Sequence, residues 1–245
     1  MMEEIIGGAR QLLEAKPIFE VAGQIQRGVF ISRLNRFTVL LEYEGRDLMC
    51  HLHDPGRLRE LLVPGAPILF REAQTKGSRR KTRHDVLAVH SSGNWVITDS
   101  RMPNYILKRA IELSIFDYKV VAEEVKYGDS RIDFLLERDG VQYITEVKGC
   151  TLCRDGVALF PDAPTSRGSR QIMRMLEYPG ARPLLVFVIM RPDARTLRPN
   201  VGTDPKFYEI VREGITRGLS TISFKVSLED GRFIWFRGAV PVVWG

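Results

Sequence analysis

Asp139-Gly140 lies between two strand-like runs, Arg131-Ile-Asp-Phe-Leu-Leu-Glu-Arg138 and Val141-Gln-Tyr-Ile-Thr-Glu-Val-Lys148. A two-residue type I′ turn needs φ > 0 at both central positions, which Asp-Gly supplies. The pair therefore predicts a β-hairpin and fixes its register. Arg138 faces Val141, Glu137 faces Gln142, and continuing the count brings Asp133 opposite Glu146. Facing side chains have Cβ atoms about 4.5–5.5 Å apart, so two bare carboxylates there repel. A hard divalent cation would relieve that repulsion, because it takes carboxylate oxygens. Lys148 follows Glu146 by two residues, which puts it on the same face about 7 Å along.

Two acids and an ammonium on one face form a constellation suited to phosphodiester hydrolysis. Asp133, Glu146 and the Val147 carbonyl would hold Mg²⁺ or Mn²⁺, which polarises a phosphate and acidifies water. Lys148 would orient that water or stabilise the developing charge. A third acid would help. Glu123 and Glu124 lie on the preceding strand, where alternation lets one of them share the site's face; Glu112 is a further candidate. The plainer alternative is a solvated sheet face in which Glu146 pairs with Lys148 or Arg131.

The chain has 245 residues, enough for one large or two small domains. Its net charge of +6 favours anionic partners where the bases cluster. Three cysteines argue against a disulfide framework and for a reducing compartment. The N-terminus carries acids where a signal peptide would carry bases, and the longest apolar run, Leu184–Met190, cannot span a bilayer. Together these predict a cytoplasmic protein with no membrane partner.

Residues 1–20 read as a short helical extension. Residues 21–97 carry about five short strands, with a turn and short helix over 54–62, which fits a closed barrel of the oligonucleotide/oligosaccharide-binding type. From residue 98 to 245 helices and strands alternate, which predicts a mixed sheet flanked by helices, with Leu184–Met190 as a strand buried on both faces. The fold class is thus mixed α and β in two domains.

Basic residues concentrate in the loop Lys76-Gly-Ser-Arg79-Arg80-Lys81-Thr-Arg83, expected between two barrel strands, where each cation on a phosphate releases a counterion. A flexible solubilising loop is the alternative. Arg27, Arg36 and Arg57 add bases to the barrel. Thr165 could cap a helix whose first turns carry Arg167, Arg170 and Gln171, where free amides suit an anion. Cys150-x-x-Cys153 with Cys50-His51-Leu-His53 has partial zinc spacing, but nothing forces the two pairs together, and buried cysteines are the plainer reading.

Several motifs occur in a fixed order: Cys50-His-Leu-His53-Asp-Pro-Gly-Arg57, Arg79-Arg-Lys81, Glu124-Val-Lys-Tyr-Gly128, Ser130-Arg-Ile-Asp133, Glu146-Val-Lys148 and Phe160-Pro-Asp-Ala163. As an ordered set they resemble the sugar fermentation stimulation protein A family over roughly residues 25–240. The resemblance implies an N-terminal oligonucleotide-binding barrel and a C-terminal domain of PD-(D/E)xK, restriction-endonuclease-like type. It implies Asp133, Glu146 and Lys148 as the nuclease core, Glu124 as the extra metal-binding acid, and Gln171 in a position where bacterial relatives are expected to carry His. It also implies DNA, single- or double-stranded and without strong sequence specificity, as the partner, and leaves a homodimer open. The resulting expectation is a DNA-binding, Mg²⁺- or Mn²⁺-dependent nuclease. The alternative is a non-enzymatic DNA-binding regulator of sugar metabolism that retains the fold.

Overall fold

The computed structural model describes residues 16–73 and 82–244. After a two-residue strand β1 (Phe19–Glu20), five strands build the first body: β2 (Ile25–Asn35), β3 (Thr38–Tyr43), β4 (Arg46–His51), β5 (Pro67–Glu72) and β6 (His84–Ser91). β2 pairs with both β3 and β5, and β6 pairs with β5 and, in parallel, with the end of β4 through Cys50↔His84 and His51↔Asp85. That last pairing closes the ring. Period-2 alternation sends Val39, Leu41, Cys50, Phe70 and Val86 into the barrel core and leaves Thr38, Leu40 and Met49 facing outwards.

The connection after β4 is not the expected short helix. Residues 52–66 hold two turns, over 59–61 and 64–65, and around the first Leu61 and Leu62 donate to the Leu58 carbonyl at 3.1 and 2.9 Å. Leu58 and Leu61 are fully buried and plug the barrel, and Leu58 takes φ 48°, which a continuing α-helix does not allow.

β7 (Asn94–Ile97) pairs with β6 and leads into α1 (Met102–Glu112), which begins with Pro103 in its first turn. The second body then runs β8 (Lys119–Tyr127), β9 (Ser130–Arg138), β10 (Val141–Cys150), β11 (Cys153–Arg154), β12 (Val157–Phe160), α2 (Ser166–Glu177), β13 (Arg182–Ile189), β14 (Thr196–Pro199), α3 (Pro205–Thr216), β15 (Ser220–Glu229) and β16 (Phe233–Ala239). Its main sheet has the order β1-β16-β15-β13-β10-β9-β8, and β11, β12 and β14 form a small second sheet. β10, β13 and β15 run parallel, joined by the helices α2 and α3.

β13 is buried on both faces, as its sequence predicts. Leu184, Val186 and Val188 join the core beneath α1, while Leu185, Phe187 and Ile189 join the core beneath α2 and α3. The α1-side core also contains Leu69, Leu87, Ala88 and Ile97 from the barrel side, so the two bodies share apolar packing.

The N-terminal segment departs from the helical expectation in its described part. Ile18 and Val21 are buried in the α1-side core, and Phe19–Glu20 pairs antiparallel with Phe233–Ile234. The remainder, residues 1–15, lies outside the described residues. Among the described residues no helix is long and apolar enough to cross a membrane.

Candidate active site

The hairpin forms in the expected register: Arg138 pairs with Val141 and the ladder continues to Phe134↔Thr145. Asp139 and Gly140 both take positive φ, 52° and 73°. The ladder then stops, one pair short of Asp133–Glu146. Phe134 and Leu136 belong to the α1-side core, yet Ile132 belongs to the opposite one, so the pleat slips by a residue at Asp133. The predicted face-to-face pairing is therefore replaced by a different contact. Asp133 Oδ2 accepts from the Val147 amide at 2.8 Å, and Oδ1 accepts from Asn104 Nδ2 on α1 at 2.9 Å. The carboxylate occupies the gap that the slip opens and takes over a ladder bond.

Glu146 is 3% exposed. Lys148 Nζ donates to its Oε1 at 2.7 Å and to Gln171 Oε1 on α2 at 2.9 Å. Gln171 in turn donates through Nε2 to the Arg131 carbonyl at 3.2 Å, so its amide is oriented and its oxygen directed at the lysine. Thr165 caps α2 as expected, its Oγ1 accepting from the Gly168 amide at 3.1 Å. Burial pushes the Glu146 carboxyl up to about 7; Lys148 opposes that shift and Asp133 adds to it. Its Oε2 is buried and, among the described residues, has no hydrogen-bond partner.

These groups line a cleft of about 390 Å³ between the two bodies. Asp133, Asn104, Glu146, Lys148, Arg167 and Gln171 come from the sheet domain, and Arg36, Asp54 and Gly56 from the barrel. The wall also holds Asp162, whose Oδ2 accepts from the Arg57 amide at 3.0 Å across the domain boundary. Asp54 Oδ1 accepts from the Gly56 amide at 2.7 Å, and burial pushes its carboxyl up to about 6, with Asp162 adding to the rise. Arg33 fixes the 54–57 loop by donating to the carbonyls of Asp54, Gly56 and Arg57.

The third acid does not arrive where alternation suggested. Glu124 sits at positive φ (54°), pairs with Arg131 at 3.3 Å, and does not line the cleft. Glu123 pairs with Lys108 and Glu112 with Arg109. Among the described residues no three of His, Cys, Asp and Glu gather as a metal-holding group, which also removes the zinc arrangement of Cys150 and Cys153 with Cys50, His51 and His53. The donor set still fits one hard divalent ion. Of the five acids that line the cleft, Asp54, Asp99, Asp133, Glu146 and Asp162, the pair Asp133 and Glu146 comes from the hairpin, Glu146 Oε2 has no hydrogen-bond partner among the described residues, and a main-chain oxygen and solvent could complete the shell.

Of the expected DNA-contacting bases, Arg36 and Arg167 line the cleft. Arg27, Arg57, Arg83 and Arg170 are exposed and outside that lining, with Arg27 lying 5.8 Å from the Trp95 ring centroid. Lys76, Arg79, Arg80 and Lys81 lie outside the described residues. Asn104, Asp54 and Asp162 were missed as site residues. Asp54 and Asp162 stand inside the ordered motifs, which was the available signal; Asn104 gave none beyond its place in the first turn of α1.

Fold and site together define a five-strand oligonucleotide-binding barrel joined to a restriction-endonuclease-like mixed-sheet domain, with an acid-and-lysine cleft between them. A family model described as the SfsA N-terminal OB domain matches residues 31–98, and one described as the sugar fermentation stimulation protein RE domain matches residues 101–232. The chain belongs to the sugar fermentation stimulation protein (SfsA) family. A homologue of that name from Moorella thermoacetica is 41% identical over 217 residues, covering 86% of this chain and 93% of its own. One from Saccharolobus solfataricus is 38% identical over 231 residues, covering 94% and 90%. The solved structure of Pyrococcus furiosus SfsA in complex with Ca²⁺ superposes with a TM-score of 0.84 at 26% identity, covering 94% of this chain and 100% of the other.

Proposed function

We propose that the protein binds DNA and hydrolyses phosphodiester bonds with Mg²⁺ or Mn²⁺. The observation that carries this reading is the buried, unpartnered Glu146 Oε2, in a cleft shared with Asp133 and a lysine held by two acceptors. A protein that only binds DNA gains nothing from burying a carboxylate oxygen without a partner, which costs about 1–3 kcal/mol or more. The relative solved with Ca²⁺ supports a divalent-ion site in proteins of this build.

Asp133 and Glu146 would hold the ion, which when bound supplies Lewis-acid polarisation and acidified water. Asn104 and the Val147 amide keep Asp133 oriented. Lys148 commits two donors to Glu146 and Gln171, leaving its third free to meet a water or a phosphate oxygen. Arg167 and Arg36 line the approach and can neutralise the backbone.

A second reading, DNA binding without cleavage, draws on Asp133 and Glu146 gaining no third acid from Glu124, which pairs with Arg131 and stays outside the cleft lining. The two are separated by incubating wild type and Asp133→Ala with labelled single- and double-stranded DNA and Mg²⁺ or Mn²⁺. Products from wild type that the variant does not make support hydrolysis; equal products from both, or none from either, exclude it.

A further inference from the structure

On the outer face of the barrel, an aromatic and apolar strip leads to the mouth of the cleft. Phe37, in the turn between β2 and β3, is 43% exposed. Its ring lies nearly parallel to that of His51, at 17° and 6.1 Å between centroids, and His51 meets His53 edge-on at 4.4 Å. Met49, 47% exposed, stands two residues before His51 on the same outward row of β4, opposite Leu40. The strip connects to the cleft at two points. The Arg36 guanidinium lies 5.6 Å from the Phe37 centroid and also lines the cleft. Ser100, another lining residue, donates to the His53 carbonyl at 2.7 Å.

Exposed aromatics beside cations have a defined chemical use. Base–aromatic stacking needs a base whose face is open, and in a duplex both faces are covered by neighbouring pairs. The flanking arginine meets the backbone phosphate of the stacked nucleotide. In barrels of this type the face of the second and third strands and the first interstrand loop carry oligonucleotides. Here those are β3, β4 and the Asn35–Phe37 turn. The cleft agrees with a single strand. Its volume of about 390 Å³ lies in the range of small-ligand pockets, about 300–1,000 Å³. Glu146, at 3% exposure, is reached only by a phosphate that enters the cleft.

We infer that this strip is a stacking platform for single-stranded DNA, with Phe37 stacking a base and Arg36 holding its phosphate, and that it leads the strand from the barrel into the cleft. The inference deepens the proposed function by naming the substrate as unpaired DNA, and it rests on that reading for the cleavage step after binding.

The test is fluorescence anisotropy with labelled dT12 and a blunt 12-base-pair duplex in EDTA, on wild type, Phe37→Ala, Phe37→Trp and Arg36→Ala, each checked for unchanged melting. Wild type is expected to prefer dT12. Phe37→Ala weakens dT12 about 5- to 150-fold while duplex affinity stays within about twofold, and Phe37→Trp restores dT12 binding. Phe37→Ala leaves the salt slope unchanged, whereas Arg36→Ala lowers it by about one. Equal losses on both DNAs, no loss on dT12, or a wild-type preference for duplex would overturn the platform. Since binding is read without metal, a protein that cleaves nothing still decides the question, and failed cleavage counts against the hydrolase reading alone.

Discussion

Gln171 Oε1 accepts from Lys148 Nζ at 2.9 Å while Gln171 Nε2 donates to the Arg131 carbonyl at 3.2 Å. The amide thus cannot flip without losing both bonds, and its oxygen stays on the lysine. Gln171→Leu removes one of the lysine's two acceptors. Cleavage in Mn²⁺ is expected to fall about 10- to 100-fold, the usual effect of removing a supporting group behind a reactive one. DNA affinity in EDTA should change by less than about twofold. A variant that cleaves as fast as wild type would show that Lys148 needs no such orientation.

Burial raises the Glu146 carboxyl from 4.5 to about 7. The folded state therefore holds this proton more tightly than the unfolded one. The associated stability is fully present below about 4.5 and is lost as pH rises towards about 7. Glu146→Gln cannot ionise. Without metal it should melt higher than wild type at pH 8, by on the order of 1–3 kcal/mol, and the gap should close near pH 4.5. A metal must displace the same proton, so wild-type Mn²⁺ affinity should rise about tenfold between pH 6 and pH 8. Titration calorimetry showing a flat profile across that interval would remove Glu146 from the ligand set.

Gly56 is placed where a Cβ would lie 2.3 Å from Asp162 Oδ2 and 2.8 Å from Asp54 Oδ1. Gly56→Ala must push the two carboxylates aside and strain the Arg57–Asp162 contact between the bodies. A loss of about 1–3 kcal/mol is expected, or roughly 2–4 °C in melting temperature for each kcal/mol. Combining it with Asp162→Gly, which vacates the space, should cost less than the sum of the two single changes. Strict additivity in a double-mutant cycle would contradict the proposed clash.

Asp204 caps α3, its Oδ1 accepting from the Phe207 amide at 3.0 Å, and its Oδ2 accepts from the Thr165 amide at the start of α2 at 2.7 Å. One side chain ties together the N-termini of α2 and α3, the two helices on one face of the sheet. Asp204→Ala should destabilise by more than the roughly 1 kcal/mol of an ordinary cap, about 2–3 kcal/mol. Because α2 carries Gln171 and Arg167, cleavage should fall as well. Denaturation with an unchanged midpoint would show that the tie carries no stability.

Much of the molecule was legible in the chain. Asp139-Gly140 fixed the turn and register because only certain residues take φ > 0 without strain, and that constraint is local. The apolar run of β13 announced a strand buried on both faces, and Thr165 announced the start of α2. The ordered motifs identified the family and hence both domains. Local signals were weaker where a turn competed with a helix. Asp54–Leu62 has helical composition, yet Leu58 and Leu61 find their burial by plugging the barrel in a non-helical turn.

The hairpin, the Glu146–Lys148 spacing and most of the strands and helices of the two bodies were written in the order of residues, because each depends on backbone geometry within a short stretch, whereas the small sheet of β11, β12 and β14 was not. The rest of the site came from long-range packing. The pleat slip at Asp133 arises from which core each neighbour enters, Phe134 on one side of the sheet and Ile132 on the other. That slip turned an expected facing pair into a carboxylate bonded to the Val147 amide. Glu124 was drawn to Arg131, and Asn104, Asp54 and Asp162 reached the cleft from α1, the barrel and the segment after the small sheet's β12. Residues so far apart in the chain meet only when the two bodies pack on a shared core, and no local pattern encodes that packing.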